Sequence, residues 1–243
     1  MTVLDRSKTI AELAADSLAA VKLFERHGID YCCGGKRPLA EVCEEKGIDF
    51  GQVEKELREA MAAGNSGGRD WNTAPLDELV DHIVSMHHNY LRREMPGIAA
   101  RLEKVYRVYN QRYGETFPGL PEVYAEMEEE LLGHLIKEER ILFPAIKEYA
   151  KAAAAGEPLP PSPFGTVANP IQMMEAEHEE TGQSLAKIRE ITGQYAIPDY
   201  ACTTYRALIA GFKEMEEDIH MHIHLENNIL FPRVLELEAA RKN

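Results

Sequence analysis

One short stretch of the sequence occurs twice, and it constrains the fold more than any other feature. It reads His-Leu-Ile-Lys-Glu from His134 to Glu138 and His-Ile-His-Leu-Glu from His222 to Glu226, and each copy continues after two residues with Ile-Leu-Phe-Pro. Residues four apart lie on one face of an α-helix, so each copy presents an imidazole beside a carboxylate. Burying such a pair is costly unless something compensates it. The duplication therefore suggests a metal site built from two equivalent halves.

The composition indicates an all-α protein with a sizeable core. Of 243 residues, 44% are hydrophobic and 28% are charged, helix formers dominate, and runs of β-branched or aromatic residues are scarce. A formal net charge of −14 argues against nucleic acid and anionic membrane surfaces as partners. No apolar run approaches the ~18 residues of a membrane span. Four cysteines, two of them adjacent, do not make a secreted disulfide framework, so we expect a cytoplasmic protein.

The order of helix and break signals predicts three segments. Residues 1–63 form a small helical domain, in which one helix is capped at Thr9 and ends at Gly28. Residues 64–75 are a linker that begins with the flexible sequence Gly-Asn-Ser-Gly-Gly. Residues 76–243 form an up-down-up-down bundle of four long helices with short connections. We place these helices at residues 76–112, 120–152, 167–192 and 199–240.

The repeat extends to two further histidines. His88 and His178 are 90 residues apart, close to the 88 residues that separate the two opening motifs. A unit of two helices, with a histidine on the first and His-x-x-x-Glu on the second, therefore occurs twice. Helical spacing places all four histidines within apolar stripes that face the bundle interior. The predicted metal ligands are His88, His134, Glu138, His178, His222 and Glu226.

Two other sets of histidines compete with this selection. His220 and His224 are also four apart, but each lies about 200° around the helix from His222, on a polar face. We predict that both are exposed to solvent. His87 also has apolar neighbours; the repeat favours His88, and His87 is then an edge residue beside the ligands.

The set of side chains favours a site for iron or manganese over a set of core residues that bind no metal. A single histidine on an apolar helix face is usually a hydrogen-bonded core residue, but burying four histidines with two carboxylates would be costly without a metal. The set contains no thiolate, which disfavours structural zinc. Six residues suit two ions. Both carboxylates, together with an oxo or hydroxo group, would bridge the two ions. Each ion then keeps one open position for a ligand such as dioxygen, nitric oxide or peroxide.

At these residues the chain resembles a known family. His-x-x-x-Glu with Ile-Leu-Phe-Pro in a predicted four-helix bundle resembles the hemerythrin-like proteins, and Tyr-Cys-Cys-Gly-Gly-Lys at residues 31–36 resembles the ScdA-type N-terminal domain. With residues 201–204 and 225–232, the whole chain is similar to the repair-of-iron-centres proteins of the YtfE/ScdA type. The resemblance implies a non-haem di-iron centre, held by the six residues predicted above, that helps to restore iron–sulfur clusters damaged by nitric oxide or oxidants.

The resemblance also places the family's cysteine pair on Cys32 and Cys33. A metal or cluster contact, a transient disulfide, nitric-oxide capture and simple packing of the turn all remain open for this pair. We interpret Cys43 and Cys202 as core residues. Glu130 and Glu177 are predicted outer carboxylates near the ligand histidines.

Three functions from different classes remain. The first is a stress-response repair protein whose partners are damaged iron–sulfur proteins and whose small ligands are nitric oxide or dioxygen. The second is an enzyme, a di-iron nitric oxide reductase. The third is a hemerythrin-like carrier or sensor, against which the cysteine module counts, since a plain carrier does not need it. Whether nitric oxide is turned over, the direction of iron transfer and the oligomeric state, a homodimer included, stay open.

Overall fold

The protein is all-α, as predicted. The computed structural model describes residues 5, 7–62, 69–114 and 116–240, and this part of the chain contains helices and no strand, with a single isolated bridge between Thr9 and Pro38. Among the described helices, none combines the length and apolar character needed to cross a membrane. Of the predicted linker at residues 64–75, the opening sequence at residues 64–68 lies outside the described residues.

The chain forms two units, and each combines segments that lie far apart in the sequence. Unit 1 comprises Met1–Leu79, Tyr149–Leu159 and His220–Asn243. Unit 2 comprises Val80–Glu148 and Pro160–Ile219. Neither unit is therefore a continuous stretch of the chain.

Four short helices begin unit 1: α1 (Ile10–Asp16), α2 (Leu18–Arg26), α3 (Leu39–Lys46) and α4 (Phe50–Ala62). The predicted capping box is present, because Thr9 accepts the Glu12 N–H and the Glu12 carboxylate accepts the Thr9 N–H. The single helix predicted from Thr9 to Gly28 is wrong in one respect. Ser17 adopts an extended backbone and its hydroxyl accepts the Ala19 N–H, so it ends α1 and caps α2.

Each of the four predicted long helices is present within a few residues of its predicted bounds. Three of them are interrupted by a five-residue π-helical turn that the hydrophobic pattern does not predict. The segments are α5 (Leu76–Ile83), π1 (Val84–His88) and α6 (Asn89–Tyr113); α7 (Leu120–Lys137), π2 (Glu138–Leu142) and α8 (Phe143–Ala155); α9 (Ala168–Ile191); and α10 (Thr203–Leu225), π3 (Glu226–Leu230) and α11 (Phe231–Ala240).

Unit 2 contains four of these helices, and a buried tyrosine on α7 links α6 and α10. The Tyr124 hydroxyl on α7 donates to the Met95 carbonyl of α6 at 2.9 Å, and its ring lies 5.7 Å from that of Phe212 on α10. α7 also packs along α9, and Arg189 of α9 pairs with Glu216 of α10. The predicted four-helix bundle is therefore confirmed.

The end of α10 and the π3 turn pack against the loop between α2 and α3 in unit 1. The Asn228 amide nitrogen donates to the Tyr31 carbonyl at 2.8 Å and to His224 Nδ1 at 2.9 Å, and the Tyr31 ring meets the His224 ring edge-on at 5.5 Å. His224 is only 3% exposed, so the prediction that it is solvated was wrong; His220, whose ring is 6.2 Å from that of Tyr31, is half-buried. The periodicity of one helix cannot show that a distant loop covers its polar face.

These contacts define the protonation of His224. The amide nitrogen of Asn228 can only donate, so Nδ1 of the neutral ring must accept and Nε2 carries the proton. Burial lowers the pKa of His224 to about 4. In a protonated His224 ring, Nδ1 would also carry a hydrogen, so two N–H donors, Nδ1 of His224 and the amide nitrogen of Asn228, would face each other.

We expect the metal-free protein to lose stability as the pH falls from about 6.5 towards about 4, in part through His224. The unfolded chain takes up a proton on this ring near its ordinary pKa, whereas the folded chain resists. The full loss from this residue is on the order of 3 kcal/mol. Urea unfolding at several pH values, with a chelator present, measures it.

His224→Gln should show a shallower dependence of unfolding free energy on pH than the unsubstituted protein. The comparison of the two proteins separates this residue from the other histidines, which both retain. Identical slopes in the two proteins would refute the burial-based assignment.

Candidate metal centre

Four of the six predicted ligands converge in the interior of unit 2. None of His88, His134, Glu138 and His178 is more than 2% exposed. One Glu138 oxygen, Oε2, lies 3.4 Å from His88 Nε2 and 3.3 Å from His134 Nε2. His134 Nε2 lies 3.1 Å from His178 Nε2. The structure thus brings three of the four predicted imidazoles together with one of the two predicted carboxylates.

The other two predicted ligands form the matching pair in unit 1. His222 Nε2 lies 2.9 Å from Glu226 Oε1, and the two side chains are 1% and 0% exposed. The second copy of the motif therefore gives the same buried pair of imidazole and carboxylate as His134 and Glu138. The close i, i+4 contact predicted from spacing is confirmed in both copies.

The π-helical turns place these side chains. Glu138 and Glu226 are the first residues of π2 and π3. The backbone carbonyl of each glutamate accepts the N–H group of the phenylalanine five residues later, Phe143 or Phe231. Such a turn inserts one extra residue and shifts the side-chain register, which is frequent at functional sites. The sequence did contain a relevant signal: Pro144 and Pro232 directly follow these phenylalanines, and proline has no N–H for the carbonyl four residues earlier.

A carboxylate outside the cluster orients His88. Nδ1 of His88 lies 2.7 Å from Glu139 Oε1, which also accepts from Arg92 at 2.7 Å. Partial burial would raise the pKa of Glu139, but the hydrogen bonds from Arg92 and His88 outweigh it and lower the pKa. An ionised carboxylate only accepts, so the proton of the neutral His88 ring is on Nδ1 and the Nε2 lone pair faces the cluster.

The same arrangement orients His134. Its Nδ1 lies 2.8 Å from Glu177 Oε2, and Lys137 pairs with the other oxygen of that carboxylate. The hydrogen bond from His134, helped by Lys137, overcomes partial burial and lowers the pKa of Glu177 to about 2. This carboxylate therefore stays ionised, and it fixes the tautomer in which Nε2 of His134 can bind a metal.

The predictions for these outer residues were partly right. Glu177 does contact a predicted ligand histidine, although it bonds His134 rather than its sequence neighbour His178. Glu130 is exposed on α7. The role predicted for Glu130, a carboxylate beside a ligand histidine, belongs instead to Glu139, which was not predicted. In the sequence, only the position of Glu139 next to Glu138 could have indicated this role. His87 is buried and bonds Asp218 at 2.9 Å through Nδ1.

The two halves differ at these outer positions. At the offset of the repeat, Glu139 corresponds to Asn227 and Glu177 corresponds to His87. Asn227 does not present a carboxylate; its amide nitrogen donates to the Cys32 carbonyl at 3.2 Å. One half of the repeat thus uses the position after the motif glutamate to orient a histidine, and the other uses it to hold the cysteine loop.

The donor set fits a first-row transition ion. Nitrogen ligands sit about 2.1 Å from such an ion, so two at right angles are about 3 Å apart, close to the separation of the His134 and His178 Nε2 atoms. Imidazoles with a carboxylate and no thiolate suit iron better than structural zinc. The unit 2 residues therefore match a nitrogen-rich metal site by both chemistry and spacing.

The four cysteines lie in three environments, and none of them forms a disulfide. Cys32 is buried and Cys33 is half-buried in the loop after α2, where ligand atoms of both and of Asp30 lie within 4.8 Å of one another. Cys43 is buried, as predicted. The prediction of a core position for Cys202 was wrong: it is exposed before the first turn of α10, and a hydrogen bond with the Tyr109 hydroxyl, aided by backbone N–H groups, lowers its pKa.

Comparisons with known proteins find two domain families along this chain. The Hemerythrin HHE cation binding domain matches residues 79–234, and ScdA_N, a domain of unknown function, matches residues 6–61. The iron-sulfur cluster repair protein YtfE of Citrobacter koseri is 38% identical over 231 residues, which are 95% of this chain and 97% of that relative. The proteins of the same name from Escherichia coli and Escherichia fergusonii match equally well.

The predicted domain boundaries at residues 63 and 75 stay a prediction, but the family does not depend on them. A domain model covers more than half of the chain, and the relatives align along nearly all of it. The chain belongs to the YtfE family of iron–sulfur cluster repair proteins, with a hemerythrin-like domain after a ScdA-type N-terminal domain.

Proposed function

We propose that the protein helps to repair iron–sulfur clusters damaged by nitrosative and oxidative stress, through a non-haem di-iron centre that binds nitric oxide, donates iron, or does both. The observation that carries this proposal is the set of buried histidines and glutamates: three histidine Nε2 atoms gather with Glu138 in unit 2, and His222 Nε2 pairs with Glu226 in unit 1. The names of the relatives support the choice of iron–sulfur proteins as partners.

The six residues His88, His134, Glu138, His178, His222 and Glu226 would hold two iron ions. The in-register repeat supports one shared centre, because each half supplies two histidines and one glutamate. Glu138 and Glu226 are the proposed bridges. Two carboxylates among neutral imidazoles leave net positive charge at two divalent ions, which suits an anionic bridging ligand such as oxo or hydroxo.

The residues of the chain have separable roles in this centre. Iron would supply redox capacity and open positions for nitric oxide or dioxygen. Glu139 and Glu177 hold the Nδ1 protons of His88 and His134, so both rings present Nε2 without rotating. Full burial of Glu138 keeps bulk water away from the ligand atoms. The proposed compartment is the cytoplasm, because the four cysteines form no disulfide.

Iron-loaded protein, added anaerobically, should reactivate an iron–sulfur dehydratase that nitric oxide has inactivated. Glu138→Leu should lower the iron content by about one ion per chain and abolish reactivation, because it removes a proposed bridge. Glu130→Leu makes the same substitution at an exposed position of α7 and should leave both unchanged.

Recovered dehydratase activity and nitrous oxide are measured together. Steady consumption of nitric oxide without reactivation would replace the repair proposal with a nitric oxide reductase. Reversible stoichiometric binding of dioxygen without either activity would indicate a carrier. Two retained irons and full activity in Glu138→Leu would refute the bridging assignment.

The outer carboxylates should tune iron affinity without binding iron themselves. Glu139→Gln and Glu177→Gln remove the charge that holds each Nδ1 proton, and we expect a tenfold to hundredfold loss of affinity, roughly the usual effect of such partners. Competition with a chromophoric chelator measures it, and Glu130→Gln is the matched control. Affinities equal to that of the unsubstituted protein would show that the hydrogen bonds to His88 and His134 do not support metal binding.

A further inference from the structure

The loop that carries the cysteine pair is organised by one carboxylate. Asp30 Oδ1 accepts the N–H groups of Cys32 and Cys33, both at 3.0 Å, and Oδ2 accepts the Gly34 N–H at 2.9 Å. A Cβ at Gly35 would lie 2.6 Å from the Tyr31 carbonyl oxygen, so only glycine fits there without a shift. The backbone around the two thiols is therefore set before any ligand arrives.

Contacts from π3, also in unit 1, hold this loop from outside. Asn227 donates to the Cys32 carbonyl at 3.2 Å and Asn228 to the Tyr31 carbonyl at 2.8 Å. The Tyr31 hydroxyl donates to the Glu25 carboxylate at 2.8 Å, and Tyr31 is only 2% exposed. A loop anchored at its backbone and at its aromatic side chain loses little further entropy when it binds a ligand.

The sulfur atoms are spaced for a shared ion. The Cys32 and Cys33 Sγ atoms are 3.6 Å apart, and Cys32 Sγ lies 3.4 Å from Asp30 Oδ1. Two thiolates, each about 2.3 Å from a tetrahedral ion, lie about 3.7 Å apart, whereas a disulfide requires about 2.05 Å. The half-buried position of Cys33 gives an ion access from solvent.

We propose that Cys32, Cys33 and Asp30 form a second cation site, a preorganised dithiolate chelate for a thiophilic divalent ion of the first transition row. Asn227 and Asn228 are its positioning residues. Binding replaces two S–H bonds by two metal–sulfur bonds and releases two protons to solvent, with no change of oxidation state. Water completes the coordination.

The position of the site gives it a role in iron traffic, a step that rests on the proposed function. Asn227 and Asn228 directly follow Glu226, a proposed ligand of the di-iron centre. The same π-helical turn therefore carries that ligand and grips the chelating loop. The chelate is then a transient binding site for an iron ion that moves between the di-iron centre and a client protein.

Cobalt(II) provides a direct test, because thiolate-bound cobalt shows charge-transfer absorption in the near ultraviolet. The full-length protein is loaded with iron, kept reduced and anaerobic, and titrated with cobalt(II). We expect this absorption to saturate at about one ion per chain. The six proposed di-iron ligands include no sulfur, so the absorption reports the cysteines alone.

The variants distinguish the pair from the other thiols. Cys32→Ser with Cys33→Ser should abolish the absorption, and Asn227→Ala with Asn228→Ala should weaken cobalt binding about tenfold, as loss of supporting contacts does. Cys202→Ser removes an exposed thiol and is the matched control. No absorption in the unsubstituted protein, or absorption that survives the double serine variant, overturns the proposal.

A second measurement needs no variant. Saturating zinc should slow alkylation of Cys33 at least about tenfold, as peptide mass spectrometry measures it, because metal-bound thiolates react less readily. Cys202 serves as the internal control. Unchanged alkylation of Cys33 overturns the chelate even if the serine variant fails to fold. Failure of reactivation with the cobalt absorption intact would refute the repair function and leave the chelate standing.

Discussion

The hydrogen bond from Nδ1 of a predicted ligand histidine to an outer carboxylate is the interaction on which the rest of the candidate centre depends. Glu139 and Glu177 fix which nitrogen of His88 and His134 carries the proton. With that choice made, two Nε2 lone pairs face Glu138 in a region closed to solvent. Burying these groups is unfavourable without a cation, so the same contacts that complete the fold also prepare the site.

Much of this arrangement could be predicted from the sequence, because the candidate ligand residues are placed by the geometry of single helices. His134 and Glu138 are close because they are four residues apart, and the copy at His222 and Glu226 repeats this. The bounds of the long helices followed from apolar spacing and from the breaks between them. Each of these features depends on local geometry alone.

The features that were missed depend on neighbours far away in the sequence. His224 lies on a polar stripe, yet Tyr31, nearly 200 residues earlier, covers it. Cys202 has the residue type of a core position, but it precedes the first turn of α10 and is exposed. Glu139, in π2, could be recognised as a partner of His88, in π1, only from the packed structure, in which the two turns lie side by side. No periodicity within one element contains that information.

The two copies of the repeat also differ in what the residue after the motif glutamate does. The two copies agree at the histidines and glutamates, and they diverge one residue later, where Glu139 in one copy is Asn227 in the other. A carboxylate at that position accepts a hydrogen bond from a predicted ligand histidine; an amide instead donates a hydrogen bond to a backbone carbonyl. Because a carboxylate has no proton to donate at neutral pH, Glu could not hold the Cys32 carbonyl as Asn227 does. The change of one functional group thus decides whether the turn supports a metal ligand or a thiol loop.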